Sequence, residues 1–211
     1  MNSPAAASDP RPPIVLLAAG AASRFGTPKQ LAPIAGVPML RRIALSALAT
    51  EHPLLVIGGA HADAVADALA ELPLHWRVHA DWAQGLGSSI AFAIEHVQQL
   101  HPQASAALLC LGDQPLVETA LLARLLAQHA AQLEQIVVAD YGPRLGPPVL
   151  FPQRDFAALR ELHGDRGAQV LLAAQPTRLV RIEAPQAAFD IDSPQDYQRL
   201  LGHLANPTSP P

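Results

Sequence analysis

The feature that most constrains the fold is an alternation of short apolar runs with longer segments of helical spacing. The runs are IVLLAA from position 14, LLVIGG from 54, WRVHA from 76, AALLCLG from 106, QIVVAD from 135, PPVLF from 147 and TRLVRIE from 177. Most are apolar at nearly every position, the pattern of strands covered on both faces rather than strands with one wet face. Between or after them, MLRRIALSALAT, HADAVADALAEL, SSIAFAIEHVQQL, ETALLARLLAQHAAQ, RDFAALREL, GAQVLLAA and PQDYQRLLGHL repeat Leu, Ala, Ile or Val every three or four residues. The order predicts an α/β chain: a Rossmann-like, three-layer α/β/α arrangement around a mostly parallel sheet.

Half of the 211 residues are apolar, enough for one sizeable core, and a single domain over 13–204 is expected, with tails at 1–12 and 205–211. The opening MNSPAAASDPRP lacks the charged and then apolar regions of a signal peptide, and no apolar run approaches the ~20 residues of a membrane span. A cytoplasmic location without membrane attachment is expected. A formal charge of −4 with no basic cluster argues against a nucleic-acid partner. Cys110 has no second cysteine to pair with and lies within an apolar run, as a buried structural thiol does.

In open α/β sheets ligands bind beyond the carboxyl ends of the strands, so the segments after the apolar runs carry the chemistry. The first is GAASRFGTPKQL, residues 20–31, which holds the only lysine of the chain, Lys29, beside Arg24; all thirteen other cations are arginine. Small residues let backbone N–H groups approach phosphate oxygens, and the two cations can neutralise a polyphosphate. The loop lacks both the GK[ST] ending of a Walker A motif and the GxGxxG spacing of a dinucleotide fold. Asp113 follows the fourth run directly, and Pro115 stops extension of the sheet. In FDIDSP, Asp190 and Asp192 share a face if the backbone is extended. A hard cation could link them to Asp113: magnesium takes one or two protein carboxylates and fills its shell with water and phosphate. Asp192 also fits a helix start, with Ser193 as N-cap and Pro194 at the first position.

The string LAAGAASRFGTPKQLAPIAGVPML resembles the LAAGxSxRxGxxKxLxxxxGxPxL opening of the MobA-like nucleotidyltransferases, and within them the molybdenum cofactor cytidylyltransferases. The resemblance continues through DWAQGLGSSI, CLGDQPLV, GPPVLFP, GDRGAQVLL and FDIDSPQDY, covering the chain between its two tails. It implies transfer of CMP from CTP to the terminal phosphate of molybdopterin, with Mg²⁺ as cofactor. It also implies base contacts from Ala18, Ala19 and Gly20 and from Gly87 and Ser88, helped by Gln84. Arg24 and Lys29 would lie on the triphosphate, Asp113, Asp190 and Asp192 around the metal. Catalysis would then rest on Lys29, Arg24 and Asp113. A recipient molybdoenzyme or its chaperone is an implied partner. LAAG rather than LAGG resembles the cytidine-using branch.

The acceptor side is carried by GDRGAQVLL, where Arg166 could bind a phosphate or pterin; a capped turn with solvated charges explains the same residues. Where the family usually shows a histidine after the glycine of GxPVLF, this chain has Pro147. A sugar-phosphate or alcohol-phosphate acceptor stays open as an alternative, as does a non-catalytic nucleotide-binding accessory factor.

Overall fold

Every apolar run becomes a strand, and every helically spaced segment a helix, in a computed structural model that describes residues 10–21 and 25–206. The strands are β1 (Ile14–Ala18), β2 (Pro33–Ile34), β3 (Val37–Pro38), β4 (Leu54–Gly58), β5 (His75–Val78), β6 (Ala106–Leu111), β7 (Ile136–Asp140), β8 (Leu145–Pro152) and β9 (Leu179–Glu183). The helices are α1 (Met39–Leu48), α2 (Ala62–Ala68), α3 (Leu86–Leu100), α4 (Thr119–Ala131), α5 (Phe156–Arg160), α6 (Gln169–Ala174) and α7 (Pro194–Ala205). Seven strands form one sheet in the order β5-β4-β1-β6-β8-β7-β9, and β2 and β3 form a separate two-stranded ribbon.

The sheet is parallel except for β8, which runs antiparallel to both β6 and β7. That reversal follows from the short connection at 141–144, since only antiparallel neighbours can be joined by a hairpin. Alternation of side chains sends Ile14, Leu16 and Ala18 to one face, against α1, α2, α4 and α7, and Val15 and Leu17 to the other, against α3, α5 and α6. Cys110 belongs to the first face and is 2% exposed; burial pushes its thiol well above the ordinary range. No helix among the described residues is long and apolar enough to cross a membrane.

Chain order reverses at β1, whose neighbours are β4 and β6. The crevice beyond the carboxyl ends of β1 and β6 is therefore the topological switch point at which this architecture binds ligands.

Candidate active site

Three segments distant in sequence meet at that crevice. Lys29 opens a short 3-10 turn, Lys29–Leu31, after the glycine-containing loop. Asp113 lies two residues past the end of β6, and Asp192 lies just before α7. The Lys29 ammonium donates to Asp113 Oδ2 at 2.8 Å and to Asp192 Oδ1 at 3.0 Å. Lys29 is buried while Asp192 is half exposed. Burial alone would lower the lysine pKa, but the two carboxylates outweigh it and the net shift is upward. The Ile191 amide donates to the Asp113 carbonyl at 2.9 Å, stitching the late aspartates to the end of β6. The helix-start reading of DSPQD holds: Ser193 and Asp196 form a reciprocal capping box with Pro194 in the first turn, and Asp192, just ahead of it, reaches back to Lys29.

Beside this cluster, Ala19, Gly20, Trp82, Ala83, Gly85, Ser89 and Asp113 help line a cavity of about 370 Å³. The buried Gln30 amide donates to the carbonyls of Gly20 at 2.9 Å and Ala18 at 3.4 Å, fixing the loop after β1. Gln30 was not singled out from sequence, where a glutamine beside a lysine carries no signal of its own. Of the three residues singled out after β1, Ala19 and Gly20 line the cavity, and Ala18 is buried behind them.

The start of α3 departs from expectation. The Ser88 hydroxyl donates to the Gly85 carbonyl at 2.9 Å and sits 3.1 Å from His79 Nε2, and Ser89 is the serine that lines the cavity. The Gly87 amide donates to the Gly164 carbonyl at 2.7 Å, and a Cβ there would lie 2.8 Å from the His163 backbone. Gly87 thus permits close docking of the 163–167 loop and does not line the cavity. Gln84 is exposed and outside the lining. Arg24 lies outside the described residues.

An adjoining cavity of about 200 Å³ shares Leu17, Leu86, Leu111 and Asp165 with the first. Its walls are largely apolar; Gln114, Tyr141 and Gln169 bring neutral polar groups, and Arg144 and Arg166 stand with Asp165 and Asp190. Arg166, singled out from the sequence, lines this cavity; Arg144, which also lines it, was not foreseen. Gln114 donates to the Tyr141 hydroxyl at 3.0 Å and the Ala187 carbonyl at 2.7 Å. Burial pushes the Tyr141 hydroxyl up to about 12. Asp190 is raised to about 6, first by burial and then by the charge of Asp113, against opposing contributions from Gln114 and Arg144.

The expected gathering of Asp113, Asp190 and Asp192 about one ion is not what the structure shows. Among the described residues no group of three or more His, Cys, Asp or Glu side chains is arranged to hold a metal. The reason is the lysine: Asp192 is engaged by Lys29, and Asp190 Oδ2 faces Arg144 at 3.5 Å. Two oxygens nevertheless stand ready. Asp113 Oδ1 and Asp190 Oδ1 are buried without a hydrogen-bond partner of good geometry, although the Gln114 amide is near enough to favour the charged form of Asp190. Two hard carboxylate oxygens at a crevice suit a divalent cation that completes its shell with water and phosphate.

Residues 14–179 match the family described as the MobA-like NTP transferase domain. The nicotine blue oxidoreductase of Paenarthrobacter nicotinovorans is 32% identical over 201 residues, 89% of this chain and 95% of that protein. Among solved structures, Rv0371c from Mycobacterium tuberculosis H37Rv is 34% identical with a TM-score of 0.79, over 91% of this chain and 97% of that one. A structure of Rv0371c in complex with manganese is similar at a TM-score of 0.75 and 31% identity, over 91% and 98% of the two chains.

Proposed function

This chain belongs to the MobA-like NTP transferase family, and on that premise we propose that it transfers CMP from CTP to the terminal phosphate of molybdopterin, releasing pyrophosphate. The observation that carries the reading is the Lys29 ammonium, 2.8 Å from Asp113, where a cavity lined by the Ala19–Gly20 loop adjoins a second cavity that carries arginines. Nucleoside triphosphate enters the first and acceptor the second.

In the reaction an acceptor phosphate oxygen bonds to the α-phosphorus of CTP. The bond from that phosphorus to the oxygen bridging the β-phosphorus breaks, and the electron pair leaves on pyrophosphate. An ionised phosphate needs no base to remove a proton, so the protein contributes alignment and charge neutralisation. Lys29 releases part of its hold on Asp113 and Asp192 and follows charge onto the α-phosphoryl oxygens, as a compact ammonium on a flexible stem can. Arg24, assigned by its place in the motif, holds the β- and γ-phosphates. Gln30 keeps the loop after β1 in place beside the nucleotide. Asp113 and Asp190 would hold magnesium, which would supply charge neutralisation to the phosphates.

A second reading rests on the 32% identity to nicotine blue oxidoreductase over nearly the whole of both chains: the apolar cavity beside Tyr141 takes a redox substrate, with no transfer of a nucleotide. One experiment separates the readings. The protein is incubated with α-radiolabelled CTP and, in turn, molybdopterin, a sugar phosphate and an alcohol phosphate; in parallel, nicotine blue absorbance is followed with an added hydride donor. Label moving to molybdopterin alone supports the proposal. Label on another phosphate, or colour change without label transfer, replaces it.

A further inference from the structure

The acceptor cavity and the nucleotide cavity differ in charge. Among their described lining residues, the nucleotide side has Asp113 and Asp165 and no arginine, whereas the acceptor side sets two arginines, Arg144 and Arg166, against Asp165 and Asp190. Arg144 belongs to the 141–144 connection between β7 and β8, and its backbone position is fixed. The Tyr141 amide donates to the Arg144 carbonyl at 3.0 Å, and the Tyr141 hydroxyl donates to the Pro147 carbonyl and accepts from Gln114. Gly146 has no room to change, since a Cβ would lie 2.6 Å from that hydroxyl.

The guanidinium of Arg144, by contrast, is held loosely. It lies 5.3 Å from the centroid of the Tyr141 ring and 3.5 Å from Asp190 Oδ2, with 62% of the side chain exposed. An ion pair that long and that wet contributes little, and it leaves donors of the planar fork available for a second anion. Neither Gly146 nor Pro147, the other hairpin residues at the cavity wall, has a side-chain donor. Lys29 already faces two carboxylates. A negatively charged acceptor approaching a negatively charged triphosphate needs a cation on its own side.

We propose that Arg144 is a specificity-determining residue of the acceptor site, whose guanidinium leaves Asp190 to bind the anionic group of an acceptor seated in the apolar cavity. The inference rests on the nucleotidyl-transfer reading for its biological meaning, but its test does not require turnover. The probes are naphthyl phosphate and the neutral naphthol, titrated calorimetrically into the wild-type protein and into the Arg144→Ala and Arg144→Lys variants, with Mg-CTP titrated separately.

The wild type is expected to favour naphthyl phosphate over naphthol by roughly ten- to hundredfold, the range of a charge-assisted hydrogen-bond pair. Arg144→Ala loses most of that preference, Arg144→Lys keeps part of it, and Mg-CTP affinity is the same in all three proteins. A preference that survives Arg144→Ala assigns the anion to another group and overturns the proposal. So does a wild type that binds neither probe, or an Arg144→Ala variant that loses affinity for Mg-CTP and both probes together. If the preference depends on Arg144 while no pyrophosphate is ever released from CTP, the anion site stands and the transfer reading falls.

Discussion

Lys29 and Asp113 lie 84 residues apart in the chain and 2.8 Å apart in the fold. The contact joins the loop after β1 to the end of β6, and with Asp192 it closes an ion-paired centre, one ammonium between two carboxylates, from three segments.

Replacing Lys29 tests the energetics of that centre. Lys29→Met leaves two carboxylates facing an apolar group and is expected to cost about 1–3 kcal/mol, less than a fully buried pair would because Asp192 is half exposed. The sign of its pH dependence follows from the raised lysine pKa. The stabilisation is whole below the ordinary value of 10.5 and is lost as pH rises through the higher folded value. Urea unfolding of both proteins from pH 7 to 11 should show a constant difference that shrinks only at the alkaline end.

Asp190 has the same sign in a lower pH window, but there the shift reflects a penalty on the charged form rather than a favourable pairing. Its folded pKa of about 6, against 3.8 ordinarily, means that the folded state holds its proton longer. Wild-type stability therefore falls as pH rises between those values. Asp190→Asn removes the penalty, so its advantage over wild type should grow from pH 4 to 6 and level off above. With the side chain 30% exposed, the plateau is on the order of 1–2 kcal/mol. Thermal unfolding across that range checks it; a variant less stable at pH 7 than at pH 4, relative to wild type, contradicts it.

The parts of this fold that follow from local pattern could be read in the sequence. IVLLA and LLVIG read as strands because short apolar runs set between longer helically spaced segments suit the middle of a sheet covered on both faces, and both are buried throughout. That Lys29 and Asp113 each follow the carboxyl end of an apolar run could be read as well, whereas the neighbourhood of β1 and β6 that makes the crevice comes from the sheet order. What depends on approach between distant segments could not be read. Nothing near Gln30 announces that its amide will support the carbonyls of Ala18 and Gly20. Nothing in YGPRLG says that Arg144 will face Asp190. Gly87 and Ser88 were legible as special but not in role: glycine marks close approach of backbone, and only the fold shows that the neighbour is the 163–167 loop. The late aspartates separated for the same reason, because the partner of Asp192 is chosen by the position of Lys29.

Gln30 is expected to matter more for binding than for stability. Gln30→Leu keeps the volume but frees the carbonyls of Ala18 and Gly20 from their shared donor, loosening the loop against the nucleotide cavity. Mg-CTP affinity should fall by roughly tenfold, one charge-free hydrogen-bond network in free-energy terms, while the unfolding midpoint shifts by a few degrees at most. Calorimetric titration with thermal melts separates the two effects.

Asp113→Asn addresses the metal. The substitution leaves one unpartnered carboxylate oxygen, on Asp190, where there were two, and a hard cation loses a charged ligand. Manganese titrated into the protein in the presence of CTP and followed by electron paramagnetic resonance should bind at least tenfold more weakly to the variant. Equal manganese binding would remove Asp113 from the metal site.

The central claim is that the Lys29–Asp113 pair acts on the nucleoside triphosphate, and pyrophosphate release from Mg-CTP in the presence of molybdopterin tests it most directly. Wild-type protein should release pyrophosphate faster from CTP than from GTP, with Lys29→Ala and Asp113→Ala each at least a hundredfold slower, the scale of losing one electrostatic contact to a transition state. Equal rates in all three proteins would contradict the account, as would release that does not depend on the acceptor.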